Sequence, residues 1–115
     1  QLRSVEDMRR AARLIQERYG CAALVKGGHL RGLKEAVDIF YDGPTELLLT
    51  APFIRGVHPH GTGCTYSAAI VAFLARKHPL DKAVALAKQY ISEAIANGNL
   101  VGGHFVLNCF AKNLA

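Results

Sequence analysis

Tryptophan is absent, methionine occurs once, and the three cysteines at positions 21, 64 and 109 form no Cys-x-x-Cys pair. An odd cysteine count without that spacing excludes a secreted disulfide framework and a zinc cluster, and it points to a reducing cytoplasm. No apolar run approaches the roughly 18 residues of a membrane span, and the first residues lack a signal peptide's apolar core, so no membrane partner is expected. Aromatic residues are few, 8% of the chain, and none is interleaved with the basic ones. The formal charge of +5 is therefore not the footprint of a nucleic-acid binder. Its excess sits in Arg3, Arg9, Arg10, Arg13 and Arg18, mixed with Glu6, Asp7 and Glu17, which is the pattern of a solvated helix face. No internal repeat, low-complexity tract or linker is visible, so residues 1–115 are expected to form one organisational unit. The chain begins at Gln1 instead of Met, which suggests a processed or excerpted sequence.

Half of the residues are hydrophobic, and a chain of 115 residues buries roughly two-thirds of its unfolded surface, enough for a core without staples. Ser4-Val5-Glu6-Asp7 has the form of a capping box and starts a helix. Val5, Met8, Ala12 and Ile15 give that helix one apolar stripe, and Gly20 after Tyr19 is a natural left-handed stop. Cys21-Ala22-Ala23-Leu24-Val25 is a continuous apolar run, which suits a strand buried on both faces, ending at Lys26-Gly27-Gly28-His29. Val37–Tyr41 and Leu47–Thr50 flank Asp42-Gly43-Pro44 and are expected to pair as a hairpin with a loop of about five residues. Pro52 and Pro59 leave Phe53 to Val57 as an edge strand or an extended loop. Helices are expected from Cys64 to about Arg76 and from Asp81 to Asn97, the second with Ala83, Val84, Ala87, Tyr90, Ile91, Ala94 and Ile95 on its apolar face. The tail from Val101 has no clean period and is expected to be loop.

The densest chemistry lies in His60-Gly61-Thr62-Gly63-Cys64-Thr65-Tyr66-Ser67. Two glycines let the backbone approach a ligand, and the following helix aims its free N–H groups and positive dipole end at the same place, as an anion hole does. A turn that merely reverses the chain before a helix fits the same spacing. Cys64 falls in the first helical turn, where the dipole favours a thiolate; a small buried hydrophobe is the plainer reading. Lys26 ends an apolar strand just before two glycines, the place where ligands of open α/β sheets bind, although an ordinary strand-end lysine looks the same. His29, His58 and His60 make a poor metal set, because the i, i+2 pair points to opposite sides of an extended chain and no acidic ligand is near. His104 follows two glycines and suits a loop.

Leu24-Val25-Lys26-Gly27-Gly28-His29-Leu30, Asp38-Ile39-Phe40-Tyr41-Asp42-Gly43 and the stretch from His60 to Ile70, in that order and spacing, resemble the hydroxymethylpyrimidine/phosphomethylpyrimidine kinase family of thiamine biosynthesis. Ala83-Val84 and Ala87-Lys88-Gln89-Tyr90-Ile91 look like the same family's C-terminal helix. The resemblance implies an α/β, ribokinase-like three-layer fold with a mostly parallel sheet, of which this chain is the C-terminal part. It implies ATP and Mg²⁺ as cofactors and a small pyrimidine alcohol or its monophosphate as substrate. By matching position, Gly61, Thr62 and Gly63 with the N–H of Cys64 form the anion hole for the transferring phosphoryl. Cys64 then receives the substrate hydroxyl proton, and Lys26 lies near the ATP phosphates. No residue is assigned as a metal ligand, and Mg²⁺ is expected on the nucleotide phosphates through water.

The match departs from the family in three places. His58-Pro59 stands where the family has Asn-Thr, Phe53 stands where it has arginine, and Gly102-Gly103-His104 only loosely resembles its Gly-His-Gly-Pro ending, near which the natural C-terminus is expected. Pyridoxal and hydroxyethylthiazole kinases share the Gly-Thr-Gly motif and are the rival substrates. A non-catalytic nucleotide-binding or dimerisation module is the rival from another class. An incomplete sheet is expected to associate as a homodimer or with the missing N-terminal half, and the isolated chain is expected to be inactive.

Overall fold

A computed structural model describes residues 1–110 except His29, Arg31 and Arg55. Its contacts divide the chain into two compact units, Gln1–Phe53 and Ile54–Ala115, at a point where the sequence carries no linker. Among the described residues no helix is long and apolar enough to cross a membrane.

In the first unit, helix α1 spans Val5–Tyr19. Ser4 caps it with extended backbone, its Oγ accepting the Asp7 N–H at 3.1 Å. The Asp7 carboxylate reaches back to accept the Arg3 N–H at 2.9 Å, and that bond holds its carboxyl below the usual carboxylate range. Gly20, at φ +65°, ends the helix by donating its N–H to Gln16 O. Met8 and Ala12 are fully buried and pack with Ala23, Val37 and Ile39. Ile15, also on the expected stripe, lies nearer the margin and is exposed.

Three strands follow, β1 (Ala23–Lys26), β2 (Glu35–Tyr41) and β3 (Glu46–Pro52), in the order β1-β2-β3. The expected hairpin is β2–β3, closed by Asp42–Thr45, where Thr45 N–H donates to Asp42 Oδ1 at 2.8 Å and Gly43 has φ +104°. Both pairings are antiparallel, unlike the mostly parallel sheet that the family resemblance implies. The connections decide this, since a parallel pair needs a crossover of about a dozen residues or more and neither link here is that long. The strand buried on both faces is also not the expected one. Val37 to Phe40 of β2 are buried at four successive positions, Val37 and Ile39 beneath Met8 and Ala12 of α1. β1 is an end strand, half-buried at Leu24 and Val25, and Cys21 lies exposed before it. Cys21 and Cys64 are thus both exposed.

An ion pair ties α1 to the start of β3. The Arg9 guanidinium donates to Glu46 Oε2, Arg13 stands 3.4 Å from Glu46 Oε1, and Arg13 also lies over the Tyr41 ring. Arg9 first, then Arg13, holds the Glu46 carboxyl below its ordinary value. A carboxylate lowered in the folded state stabilises above its unfolded pKa, about 4.3, and that contribution is lost as pH falls through the folded value. Thermal melting as a function of pH is expected to show a shallower acid loss in Glu46→Gln than in wild type below about pH 4.3. Parallel curves for the two proteins would mean that the pair does not anchor the helix.

The second unit holds α2 (Thr62–Ala75), α3 (Leu80–Ala96) and a short hairpin of β4 (Asn99–Val101) and β5 (His104–Val106). The helices pack through Tyr66, Ala69 and Phe73 of α2 and Ala83, Val84, Ala87, Ile91 and Ala94 of α3. The stretch 53–57 is loop where it is described, beyond the end of β3 at Pro52, and it turns at Gly56 (φ +76°). The tail corrects the expectation of loop. Val101 pairs with His104 across Gly102 and Gly103, both at positive φ (57° and 80°), as a two-residue type I′ hairpin requires. The Phe105 ring and Val106 O lie so close to Gly98 that a Cβ there would stand 2.5 and 2.6 Å from them. Tyr90 Oη donates to Cys109 O and Asn108 N–H to Ala94 O, fastening the tail to α3.

Candidate active site

Gly61 is the N-cap of α2 at φ +78°, ψ 7°, and nothing would meet a Cβ there, so the backbone angle and not the space requires glycine. Thr65 N–H is the first to bond back into the helix, to Gly61 O at 2.9 Å. The N–H groups of Thr62, Gly63 and Cys64 precede it and have no acceptor within the helix. No side chain caps this end and no acidic residue lies in the first turn, so the positive end of the helix dipole is left uncompensated. The surrounding hydroxyls are turned to other work. Thr62 Oγ1 donates to Pro59 O at 3.3 Å and Ser67 Oγ to Gly63 O at 3.0 Å. Three consecutive N–H donors facing one place suit the oxygens of a phosphate.

The structure thus brings Gly61, Thr62, Gly63 and Cys64 together in one turn. Cys64 is the third residue of α2 and is exposed in this chain. Beside the turn is a cavity of about 550 Å³ lined in part by His58, His60, His104, Leu100 and Phe105. Those histidines line one cavity, yet among the described residues no group of three or more His, Cys, Asp or Glu is placed to hold a metal ion. His29 lies outside the described residues.

Lys26 belongs to the first unit, as the exposed last residue of β1. The backbone after it is held firmly. Gly27 N–H donates to Val37 O at 2.9 Å and approaches Asp38 Oδ1 at 3.2 Å, and Asp38, opposite Lys26 in register, is only 4% exposed. A Cβ at Gly27 would stand 2.5 Å from Val37 O and 2.8 Å from Met8 Sδ. Asp38 and Gly27 both stand in the motifs that carry the family resemblance, but the sequence reading gave neither of them a role. The signal for Asp38 is a lone carboxylate inside the apolar run Val37 to Phe40, because a buried charge is kept only with partners.

A family model described as phosphomethylpyrimidine kinase matches residues 1–108. A hydroxymethylpyrimidine/phosphomethylpyrimidine kinase of Aquifex aeolicus (strain VF5) is 43% identical over 102 residues, 89% of this chain and 40% of the relative. One of the same description from Rhizobium meliloti (strain 1021) is 50% identical over 90 residues, 78% of this chain and 34% of that protein. Among solved structures, the pyridoxal kinase from Staphylococcus aureus in complex with AMP-PCP and pyridoxal superposes with TM-score 0.91 at 33% identity, over 99% of this chain and 43% of its own. The chain therefore spans about two-fifths of the length of these relatives. The α/β, ribokinase-like fold that the motifs imply is borne out.

Proposed function

Since this chain belongs to the phosphomethylpyrimidine kinase family, we propose that it carries the phosphate-holding half of a kinase acting on 4-amino-5-hydroxymethyl-2-methylpyrimidine and its monophosphate. The observation that carries this reading is the Gly61 turn, whose three unsatisfied N–H groups open an uncapped helix. Phosphoryl transfer demands positioning and stabilisation of charge on the equatorial oxygens more than covalent chemistry. The N–H groups of Thr62, Gly63 and Cys64 receive those oxygens. Cys64 Sγ takes the proton of the attacking hydroxyl as the new P–O bond forms, and the bond to the departing ADP oxygen breaks. Lys26 is assigned to the ATP phosphates by its place in the family motif. Mg²⁺, when bound, would neutralise phosphate charge, and we assign it to the nucleotide phosphates through water. The compartment we assign is the cytoplasm, in keeping with three free thiols.

Pyridoxal is the second substrate reading, favoured by the likeness to the S. aureus structure. The test places residues 1–115 in both the A. aeolicus relative and the S. aureus pyridoxal kinase, in place of the matching segment, and assays each chimera with both alcohols. A higher kcat/KM for the pyrimidine is expected, and a preference for pyridoxal overturns that choice. Cys64→Ala in the same protein is expected to lower kcat by about 10²- to 10⁴-fold with KM for ATP nearly unchanged. Turnover close to wild type would remove Cys64 as the base and leave the backbone donors. Nucleotide binding without transfer to either alcohol would favour the non-catalytic module.

A further inference from the structure

Asp38 is the one acidic residue in the apolar run Val37 to Phe40, and it is buried. Taking a carboxylate out of water is costly, so its place calls for a reason. Its Oδ1 accepts the Gly27 N–H at 3.2 Å. That N–H already donates to Val37 O at 2.9 Å, so the ladder satisfies it, and a neutral acceptor at position 38 would serve it equally well. The backbone alone does not explain the charge.

The register shows what lies beside it. The bond from Gly27 N–H to Val37 O makes that pair a hydrogen-bonded one, and the two kinds alternate along an antiparallel ladder, so Lys26 and Asp38 form a non-hydrogen-bonded pair. In such pairs the Cα atoms stand about 4.5 Å apart and the two side chains project together from one face. Val37 and Ile39 pack with Met8 of α1, so Lys26 and Asp38 occupy the other face. Lys26 is exposed and ends the strand. Its four-carbon stem has many rotamers, and a neighbour is needed to restrict them. The backbone at this point is fixed, since Gly27 O accepts the Leu30 N–H at 2.9 Å, and Val37 O and Met8 leave no room for a Cβ on Gly27. At Gly28 that restraint stops, with nothing within 4 Å of a Cβ built there. Asp38 thus sits between a pinned amide and the last side chain before an open backbone.

We propose that Asp38 is a positioning residue for Lys26: its buried carboxylate, anchored on the Gly27 N–H, holds the cross-strand ammonium in the orientation that a nucleotide phosphate needs. The inference rests on the assignment of Lys26 to the ATP phosphates and adds that the lysine alone is not enough. A carboxylate near phosphate oxygens repels them unless a cation stands between, so Asp38 without Lys26 works against nucleotide binding.

The experiment uses the A. aeolicus chimera with Asp38→Asn, Lys26→Met and the two together, each titrated calorimetrically with Mg-ATP and assayed for the alcohol. Asn keeps an acceptor for the Gly27 N–H and removes the buried charge, so the melting temperature is expected to stay within about 2 degrees of wild type or to rise. The Kd for ATP is expected to increase about tenfold while the KM for the alcohol stays within about twofold. In the Lys26→Met background the same substitution is expected to change that Kd by less than about twofold, or to lower it. A merely structural role would lower the melting temperature and leave the Kd where it was. Four results overturn the proposal: a Kd for ATP that is unchanged or lower in Asp38→Asn, a rise that persists in the Lys26→Met background, equal losses for ATP and the alcohol, or an Asp38→Asn chimera that does not fold. Lys26→Met without effect on the Kd, or an unsubstituted chimera that binds no ATP, overturns the assignment of Lys26 and the proposal together. An effect of Lys26→Met that Asp38→Asn does not share overturns the proposal alone.

Discussion

Met8→Ala is expected to cost the Gln1–Phe53 unit about 2–5 kcal/mol, enough to unfold α1 from the sheet in a unit this small. Met8 is 0% exposed and sits at the centre of the cluster with Ala12, Ala23, Val37 and Ile39, so truncation removes buried apolar surface and leaves a cavity. Two of those neighbours are alanines and a third is the β-branched Val37 of the central strand, none of which reaches into the space. Denaturant unfolding of the full chain, followed by a probe in the first unit, gives the number. A loss below about 1 kcal/mol would mean that the site collapses around the smaller side chain.

Gly27→Ala is expected to be almost as damaging, by about 1–3 kcal/mol or more, for the opposite reason. The added methyl would stand 2.5 Å from Val37 O, the same oxygen that accepts the Gly27 N–H, and 2.8 Å from Met8 Sδ and Cε. Methionine can swing aside, whereas the carbonyl belongs to the central strand and cannot yield without breaking the ladder. Gly28→Ala is the control, with nothing within 4 Å of the added methyl, and its melting temperature is expected to stay within about a degree or two of wild type. The pair separates the backbone approach at Gly27 from glycine flexibility in general. Equal losses in the two variants would mean that the approach to Val37 O does not decide the cost, since alanine for glycine acts through the unfolded chain only to stabilise. The strand end that presents Lys26 depends on the same contact, so a loss of order after Val25 in Gly27→Ala also disturbs that lysine.

Local chemistry made much of this protein legible before any coordinates. The Ser4 cap, the Gly20 stop, the Asp42–Thr45 turn and the glycines that open α2 each depend on residues within one turn of each other, and all are where the sequence puts them. The tail was legible too, since Gly102-Gly103 between short apolar runs is a hairpin signal that was outweighed by the lack of period in so short a stretch. The site turn follows the same logic, because a left-handed glycine and three helical N–H groups need nothing from the rest of the chain. Burial does not work this way. Apolar runs such as Cys21 to Val25 and Val37 to Phe40 look alike in composition, and only strand order together with the packing of α1 made the second the more buried and left the first at an edge. Asp38 beneath Gly27 and Glu46 between Arg9 and Arg13 join residues 11 and 37 positions apart. Partners at that range are chosen by how the chain closes on itself, and caps, periods and turn residues act only over the few residues they touch.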